Sequence, residues 1–257
     1  MTVEALPVRR YVEQVMGMPI SLALRGAHTR DASALDAWSA CLADLRVTDR
    51  VFSTYREDSH VSRLSRGEIG LDECPAVVHE VLDLAERARQ ESGGAFDVRR
   101  PGPDGTVVLD PSGVVKGWAV ERASVHLRSL EDTDFCLSAG GDMVCHVTDA
   151  GSPPWRVGIE DPRDPGRLVA TVEVRRGAVA TSSSAHRGAH IVDARTGAFP
   201  DAVASVTVLA DDLTWADIDA TAAYAMGAGA LAWLRGRPGR RGLVVRSDGH
   251  TDLFGPG

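Results

Sequence analysis

Leu109-Asp110-Pro111-Ser112-Gly113-Val114-Val115-Lys116-Gly117-Trp118-Ala119-Val120-Glu121-Arg122 is the stretch on which the reading of this chain turns. The preceding Val107-Val108-Leu109 reads as a short strand, and Asp110-Pro111-Ser112-Gly113 as a turn opening a helix that runs to about Leu127. Asp110 and Ser112 offer oxygen acceptors to the free N–H groups at a helix start, and Pro111 fixes the turn. Such a junction turns backbone N–H groups and the positive end of a helix dipole toward an anion. Lys116, one turn in, adds a full positive charge nearby. Taken alone, the stretch reads as a capped helix with Lys116 on its solvated face.

Working outward, Val8 to Met16 and Ile20 to Leu24 read as two strands joined in a hairpin at Gly17-Met18-Pro19. Leu35, Trp38, Leu42 and Leu45 recur at helical spacing and predict an amphipathic helix over 32–47. A polar segment, Arg56 to Arg66, follows Phe52-Ser53-Thr54-Tyr55. Pro75 opens a second helix whose inward face is Val78, Val81, Leu82, Ala85 and Ala88, and Gly93-Gly94 stops it. Beyond the central stretch, strands are predicted at 134–138, 143–147, 155–160, 168–174, 177–181, 189–192 and 203–210. A helix over 214–226, a helical piece from 228, and a hairpin of 242–246 with 251–254 around Ser247-Asp248-Gly249 close the chain. Strands and helices do not alternate regularly, so the fold class is α+β rather than a doubly wound sheet. The Pro/Gly-rich segments 100–105 and 151–154 read as loops within one body.

Across its 257 residues the chain is 44% hydrophobic and 25% charged, the balance of a globular protein able to bury a core. A formal net charge of −8 argues against a nucleic-acid partner while leaving room for a local positive pocket. The four cysteines, Cys41, Cys74, Cys136 and Cys145, form no Cys-x-x-Cys pair and read as small buried hydrophobes. Cys136 and Cys145 can face each other across a hairpin, which leaves one bridge open. The start shows neither a signal-like apolar segment nor a lipobox, and no run reaches membrane-spanning length. The expectation is a cytoplasmic protein without a membrane span, or an exported one if a leader has been removed.

Several constellations carry chemistry beside a plainer reading. Asp217 and Thr221 stand four apart, on one helix face, and offer the hard oxygens that magnesium takes alongside water and phosphate. Thr214-Trp215-Ala216-Asp217 also fits a capping box, with Asp217 serving only the helix start. Phe96 is either core or an aromatic wall, and Asp97 a turn cap or a ligand contact. Thr181-Ser182-Ser183-Ser184 beside His186, His190 and Asp193 suggests a serine hydrolase, but without a Gly-x-Ser-x-Gly elbow a serine-rich turn is the simpler account. Ser138-Ala139-Gly140-Gly141-Asp142 ends a strand in two glycines, either a hairpin or a close approach to a dinucleotide. Gly227-x-Gly229-x-x-Ala232 follows a helix rather than a strand and is discarded as a dinucleotide fingerprint.

Four islands fall in order: Ser92 to Asp97, the central stretch, Ser138 to Asp142, and Thr181 to Gly197 followed by Ala216 to Thr221. In that order and spacing the chain resembles the ApbE family, flavin transferases that move FMN from FAD onto a protein threonine. The resemblance runs from Met16 to about Gly227. It implies a mixed, mostly antiparallel sheet flanked by helices, in a single domain over 1–257. It further implies Mg2+ held by Asp217, Thr221 and the carbonyl of Gly113, where relatives commonly carry alanine. FAD, the substrate, would be contacted by Met16, Tyr55, Ala95, Phe96, Asp97, Asp110, Lys116 and Ile191. His190, in His190-Ile191-Val192-Asp193 ahead of Thr196-Gly197, would take the proton of the attacking hydroxyl, with Lys116 as electrostatic help or as a hold on FAD. The partner implied is an acceptor flavoprotein carrying a target threonine. The chain departs from the family at Met18, where threonine is usual, and at Ser183, where glycine is usual. Rival readings are a magnesium-dependent FAD pyrophosphatase, with water in place of threonine, and a flavin-binding protein without catalysis.

Overall fold

The structure, a computed structural model, describes residues 7–102, 105–184 and 191–256. It opens on the hairpin of β1 (Arg9–Val15) and β2 (Met18–Gly26). Their turn is Met16-Gly17, with φ of 56° and 70°, and Val15 pairs directly with Met18. Two consecutive residues at positive φ are what a two-residue hairpin requires. The turn therefore precedes the predicted Gly17-Met18-Pro19, because Pro19 is accommodated near the start of β2, opposite Gln14.

Helix α1 (Ala32–Phe52) starts at Asp31, whose side chain accepts the Ala34 N–H. It outruns the predicted end because Thr48, Val51 and Phe52 extend the buried stripe of Trp38, Leu42 and Leu45. Leu35, expected on that stripe, is exposed while Ala34 is buried. The polar segment holds a short helix, α2 (His60–Ser65), capped by Ser59 and anchored by buried Val61. Next come α3 (Ala76–Glu91), a small ribbon of β3 (Arg99–Pro101) with β4 (Val107–Leu109), α4 (Ser112–Ala123) and α5 (Val125–Arg128). One helix to Leu127 was expected; the break falls at Ser124, whose hydroxyl donates back to the Glu121 carbonyl.

The remaining elements are β5 (Thr133–Ala139), β6 (Asp142–His146), β7 (Trp155–Glu160), β8 (Leu168–Val174), β9 (Arg176–Ser183), β10 (Val203–Ala210), α6 (Leu213–Met226), α7 (Ala230–Arg235), β11 (Arg241–Arg246) and β12 (Thr251–Phe254). Of the predicted strand 189–192, the described part, Ile191-Val192, is not a strand. Among the described residues, eight strands form one antiparallel sheet in the order β1-β2-β5-β6-β9-β10-β11-β12, and β7 pairs with β8 alone. This is the α+β class.

Strand alternation gives the sheet two buried faces. Ile20, Leu22, Leu24, Phe135, Leu137, Val144, Ala178, Ala180, Val206 and Val208 join the helices in the main core. Cys145, Val179, Leu209, Leu243 and Val245 point the other way, onto Val157, Ile159 and Val174 of β7 and β8. Each large aliphatic or aromatic side chain so buried contributes about 1.5–3 kcal/mol. Cys136 and Cys145 do sit opposite each other in β5 and β6, as free thiols with sulfurs 3.6 Å apart. A disulfide needs about 2.05 Å, so no bridge is formed. Among the described residues no helix is long and apolar enough to cross a membrane.

A buried ion network pins α6 to the C-terminal elements. Asp219 is fully buried and binds Arg237 (2.8 Å) and Arg240 (2.6 Å). Arg237 also reaches Glu91 at 2.5 Å and lies against the rings of Trp215 and Trp233. Removing one partner of such a group strands the opposite charges in a poorly solvated place. Asp219→Ala is expected to cost about 3–5 kcal/mol, read as a lower midpoint in urea denaturation.

Candidate functional site

The site grows from the close approach of α4 and α6. Gly117 permits it: a Cβ there would lie 2.7 Å from the Leu213 carbonyl oxygen and 2.8 Å from the Asp217 Cβ. Gly113, one turn earlier, lies under the ring of Phe96, and a Cβ on it would sit 3.8 Å from the Thr221 methyl. The Asp110-Pro111 turn starts α4 as expected, with Asp110 Oδ1 accepting the Ser112 N–H at 3.1 Å. The Ser112 hydroxyl, read from sequence as an acceptor, donates to the same Asp110 oxygen instead.

Asp217 is not the helix cap. That role falls to Asp212, whose side chain accepts the Trp215 N–H at 2.9 Å, so the capping-box alternative fails. Asp217 lies in the second turn of α6, 2% exposed, and faces α4. Its Oδ2 accepts the Gly117 N–H at 3.0 Å and its Oδ1 lies 3.2 Å from the Lys116 ammonium. In a regular helix the Gly117 N–H serves the Gly113 carbonyl. Its bond to Asp217 ties that same turn of α4 to α6.

Lys116 is neither on a solvated face nor aimed at an open anion site. It forms ion pairs with both Asp217 and Asp142, and only 17% of its side chain is exposed. Burial alone would push its pKa down; Asp217 and Asp142 outweigh that and hold it above the ordinary lysine value. Burial pushes the Asp217 carboxyl up to about 7, and the Asp142 charge adds to the rise against the pull of Lys116. Two buried carboxylates thus compete for one ammonium, and only when both are ionised does the cleft call for a further positive charge.

The sheet supplies the third wall. β5 and β6 turn through Gly140-Gly141, at φ of 57° and 100°, and deliver Asp142 at the first position of β6. Asp142 Oδ1 accepts the Thr181 N–H at 3.0 Å. The next residue, Ser182, shares a 3.1 Å hydrogen bond with the Thr221 hydroxyl. Ser183 ends β9 opposite Ser205 with negative φ, so serine in place of glycine carries no left-handed strain there. The Gly140 N–H reaches the Pro19 carbonyl at 3.3 Å, which brings the Met16-Gly17 turn to the same end of the sheet.

The other predicted contacts distribute unevenly. Phe96 packs on Gly113, and the Ala95 carbonyl accepts the Ala194 N–H at 3.1 Å, joining the Ser92–Asp97 island to the turn after Ile191. Ile191 is buried in the main core, while Met16 packs half-buried against it. Asp97 and Asp110 are half-buried near Arg99 and Arg100 respectively. Tyr55 is 97% exposed in the turn between α1 and α2, so it packs against no wall of this cleft. His190 lies outside the described residues, as does His186. Asp142 and Ser182 were not singled out as site residues in the sequence; only the glycine pair before Asp142 and the hydroxyl cluster around Ser182 signalled them. Among the described residues, no three His, Cys, Asp or Glu side chains group as metal ligands. The oxygen donors here are the carboxylates of Asp217 and Asp142, the hydroxyls of Thr221 and Ser182 and the nearby backbone carbonyls, hard ligands of the kind magnesium takes alongside waters and phosphate oxygens.

This is an α+β protein with a carboxylate–lysine cluster between two helices and the end of an antiparallel sheet. The profile of the ApbE family matches residues 16–101 and 99–244, and the chain belongs to that family. It is 34% identical over 156 residues to a FAD:protein FMN transferase of Rhodobacter capsulatus, across 57% of this chain and 29% of the relative. With the FAD:protein FMN transferase of Vibrio cholerae serotype O1 it shares 32% identity over 129 residues, 46% of this chain and 39% of the relative. The matched segments thus span about a third of those curated relatives. The fold superposes on the crystal structure of an ApbE protein from Thermotoga maritima with a TM-score of 0.82 at 21% identity, covering 96% and 97% of the two chains. For the apo flavinyl transferase ApbE of Pseudomonas stutzeri the TM-score is 0.81 at 22% identity, covering 99% and 97%.

The helix contact that builds the site is testable. Gly117→Ala forces a methyl against a backbone carbonyl and the Asp217 stem, and is expected to cost about 1–3 kcal/mol. Gly113→Ala meets only the edge of the Phe96 ring and is expected to cost less. Thermal melts of the two variants side by side check the ranking.

Proposed function

We propose that this chain is a magnesium-dependent FAD:protein FMN transferase, acting as one domain. In the reaction an acceptor threonine hydroxyl attacks the FMN-side phosphorus of the FAD pyrophosphate, its oxygen–phosphorus bond forms as the bond to AMP breaks, and AMP leaves. The observation that carries the reading is the pairing of two buried carboxylates, Asp217 and Asp142, with the single ammonium of Lys116, where Gly113 of one helix faces Thr221 of the other.

Asp217, Thr221 and the Gly113 carbonyl would hold the metal, which when bound neutralises charge on the pyrophosphate oxygens. Lys116 brings a fixed ammonium to the same cleft and favours the charge that develops on the transferred phosphoryl group. Phe96 closes the cleft over Gly113 and supplies an apolar wall for the flavin end of FAD. Ala95, Asp97, Asp110, Met16, Tyr55 and Ile191 are the further FAD contacts of this reading, and His190 the base that takes the threonine proton. The names of the relatives support the activity, and the meeting of the central stretch with the late helix supports the metal site.

Asp217→Ala is expected to lower FMN transfer by about 100-fold or more, read as the rate of mass gain on a threonine-bearing acceptor at saturating FAD and Mg2+. Transfer at the wild-type rate by that variant removes the metal site. Incubating the wild-type protein with FAD and Mg2+ alone separates the hydrolytic reading: rapid release of AMP and FMN without acceptor marks a pyrophosphatase. If acceptor labelling and AMP release are both absent, the chain is a binder.

A further inference from the structure

Asp142 lies outside the proposed ligand set, yet it is 1% exposed and tied to both side-chain ligands. Its Oδ1 takes the Thr181 N–H and so fixes the strand end from which Ser182 meets Thr221. Its Oδ2 forms an ion pair with Lys116 and, among the described residues, has no hydrogen-bond partner beyond that contact. Lys116 in turn lies 3.2 Å from Asp217 Oδ1.

We infer that Asp142 is a positioning residue that draws the Lys116 ammonium away from the Asp217 oxygen a divalent cation needs, while bracing Ser182 against Thr221. This rests on the magnesium reading above. The physics is a competition for one carboxylate. An ammonium and a dication on the same oxygen repel each other, and in a buried cleft that repulsion is poorly screened. With Asp142 charged, the ammonium is divided between two carboxylates. With Asp142 neutral, Asp217 is the only carboxylate left to it, and cation binding must first displace it. Outer partners of metal ligands commonly alter metal affinity by about 10–100-fold on this kind of ground.

Asp142→Asn keeps an oxygen for the Thr181 N–H and removes only the charge. The probe is FAD binding, followed by flavin fluorescence while Mg2+ is titrated, on wild type, Asp142→Asn, Lys116→Met and the double variant. The expected result is a Mg2+ midpoint raised about tenfold in Asp142→Asn, with FAD affinity at saturating metal little changed. In the Lys116→Met background the same substitution is expected to add no shift, since the competitor is gone. An unmoved midpoint, or an equal shift in both backgrounds, overturns the inference and leaves the magnesium reading standing. No effect of Mg2+ on FAD binding by the wild type overturns that reading instead, and the inference with it. Should Asp142→Asn fail to fold, Lys116→Met alone decides: a midpoint below wild type is expected, and an equal or higher one overturns the proposal.

Discussion

One ammonium shared between two buried carboxylates holds this cleft together. Lys116 comes from the helix after the central turn, Asp217 from a helix 101 residues later, and Asp142 from the sheet. Burying any one of these charges alone would be costly. Buried together they tolerate one another, and that mutual need draws three distant segments into one place. The glycines then follow as a requirement: the lysine reaches Asp217 only if the helix backbones approach closely, and Gly117 is where they touch.

The rest of the fold sets the stage for this contact. An antiparallel sheet with apolar residues on both faces can carry helices on one side and a β-ribbon on the other. Its turns then gather at a common end, where the Met16-Gly17 and Gly140-Gly141 bends lie side by side and β9 terminates. The buried Asp219 network, two residues on from Asp217 and so on the other side of α6, keeps that helix from rotating about its axis. Local cap, sheet register and ion network therefore agree on a single orientation for Asp217 and Thr221.

Much of this was legible from residues. Hydrophobic periodicity located α1 and α3, turn residues located most strands, and the i,i+4 spacing of Asp217 and Thr221 put both on one face of α6. The misses have physical causes. The α1 end was misplaced because Thr48, a polar residue, is buried within an apolar stripe. A short polar helix such as α2 has no periodic signal to find. The hairpin turn was displaced because proline normally breaks a strand, and here it does not. The partners of Lys116 were not legible at all, since a lone lysine on a helix looks the same whether it meets water or carboxylates 26 and 101 residues away. Tyr55 is a different case: an aromatic residue in a matching position whose ring the fold leaves 97% exposed.

The glycine-mediated seam between α4 and α6 has a mechanical meaning as well. Two helices in backbone contact, cross-linked by an N–H to a carboxylate, have no slack in which to hinge. Cleft opening by spreading that pair would break the bond that shapes it. Any adjustment of the cleft to what it holds is then left to the loops around that pair. Preorganisation on one side and compliance on the other keep the placement of Asp217 and Thr221 constant while the rim of the cleft adapts.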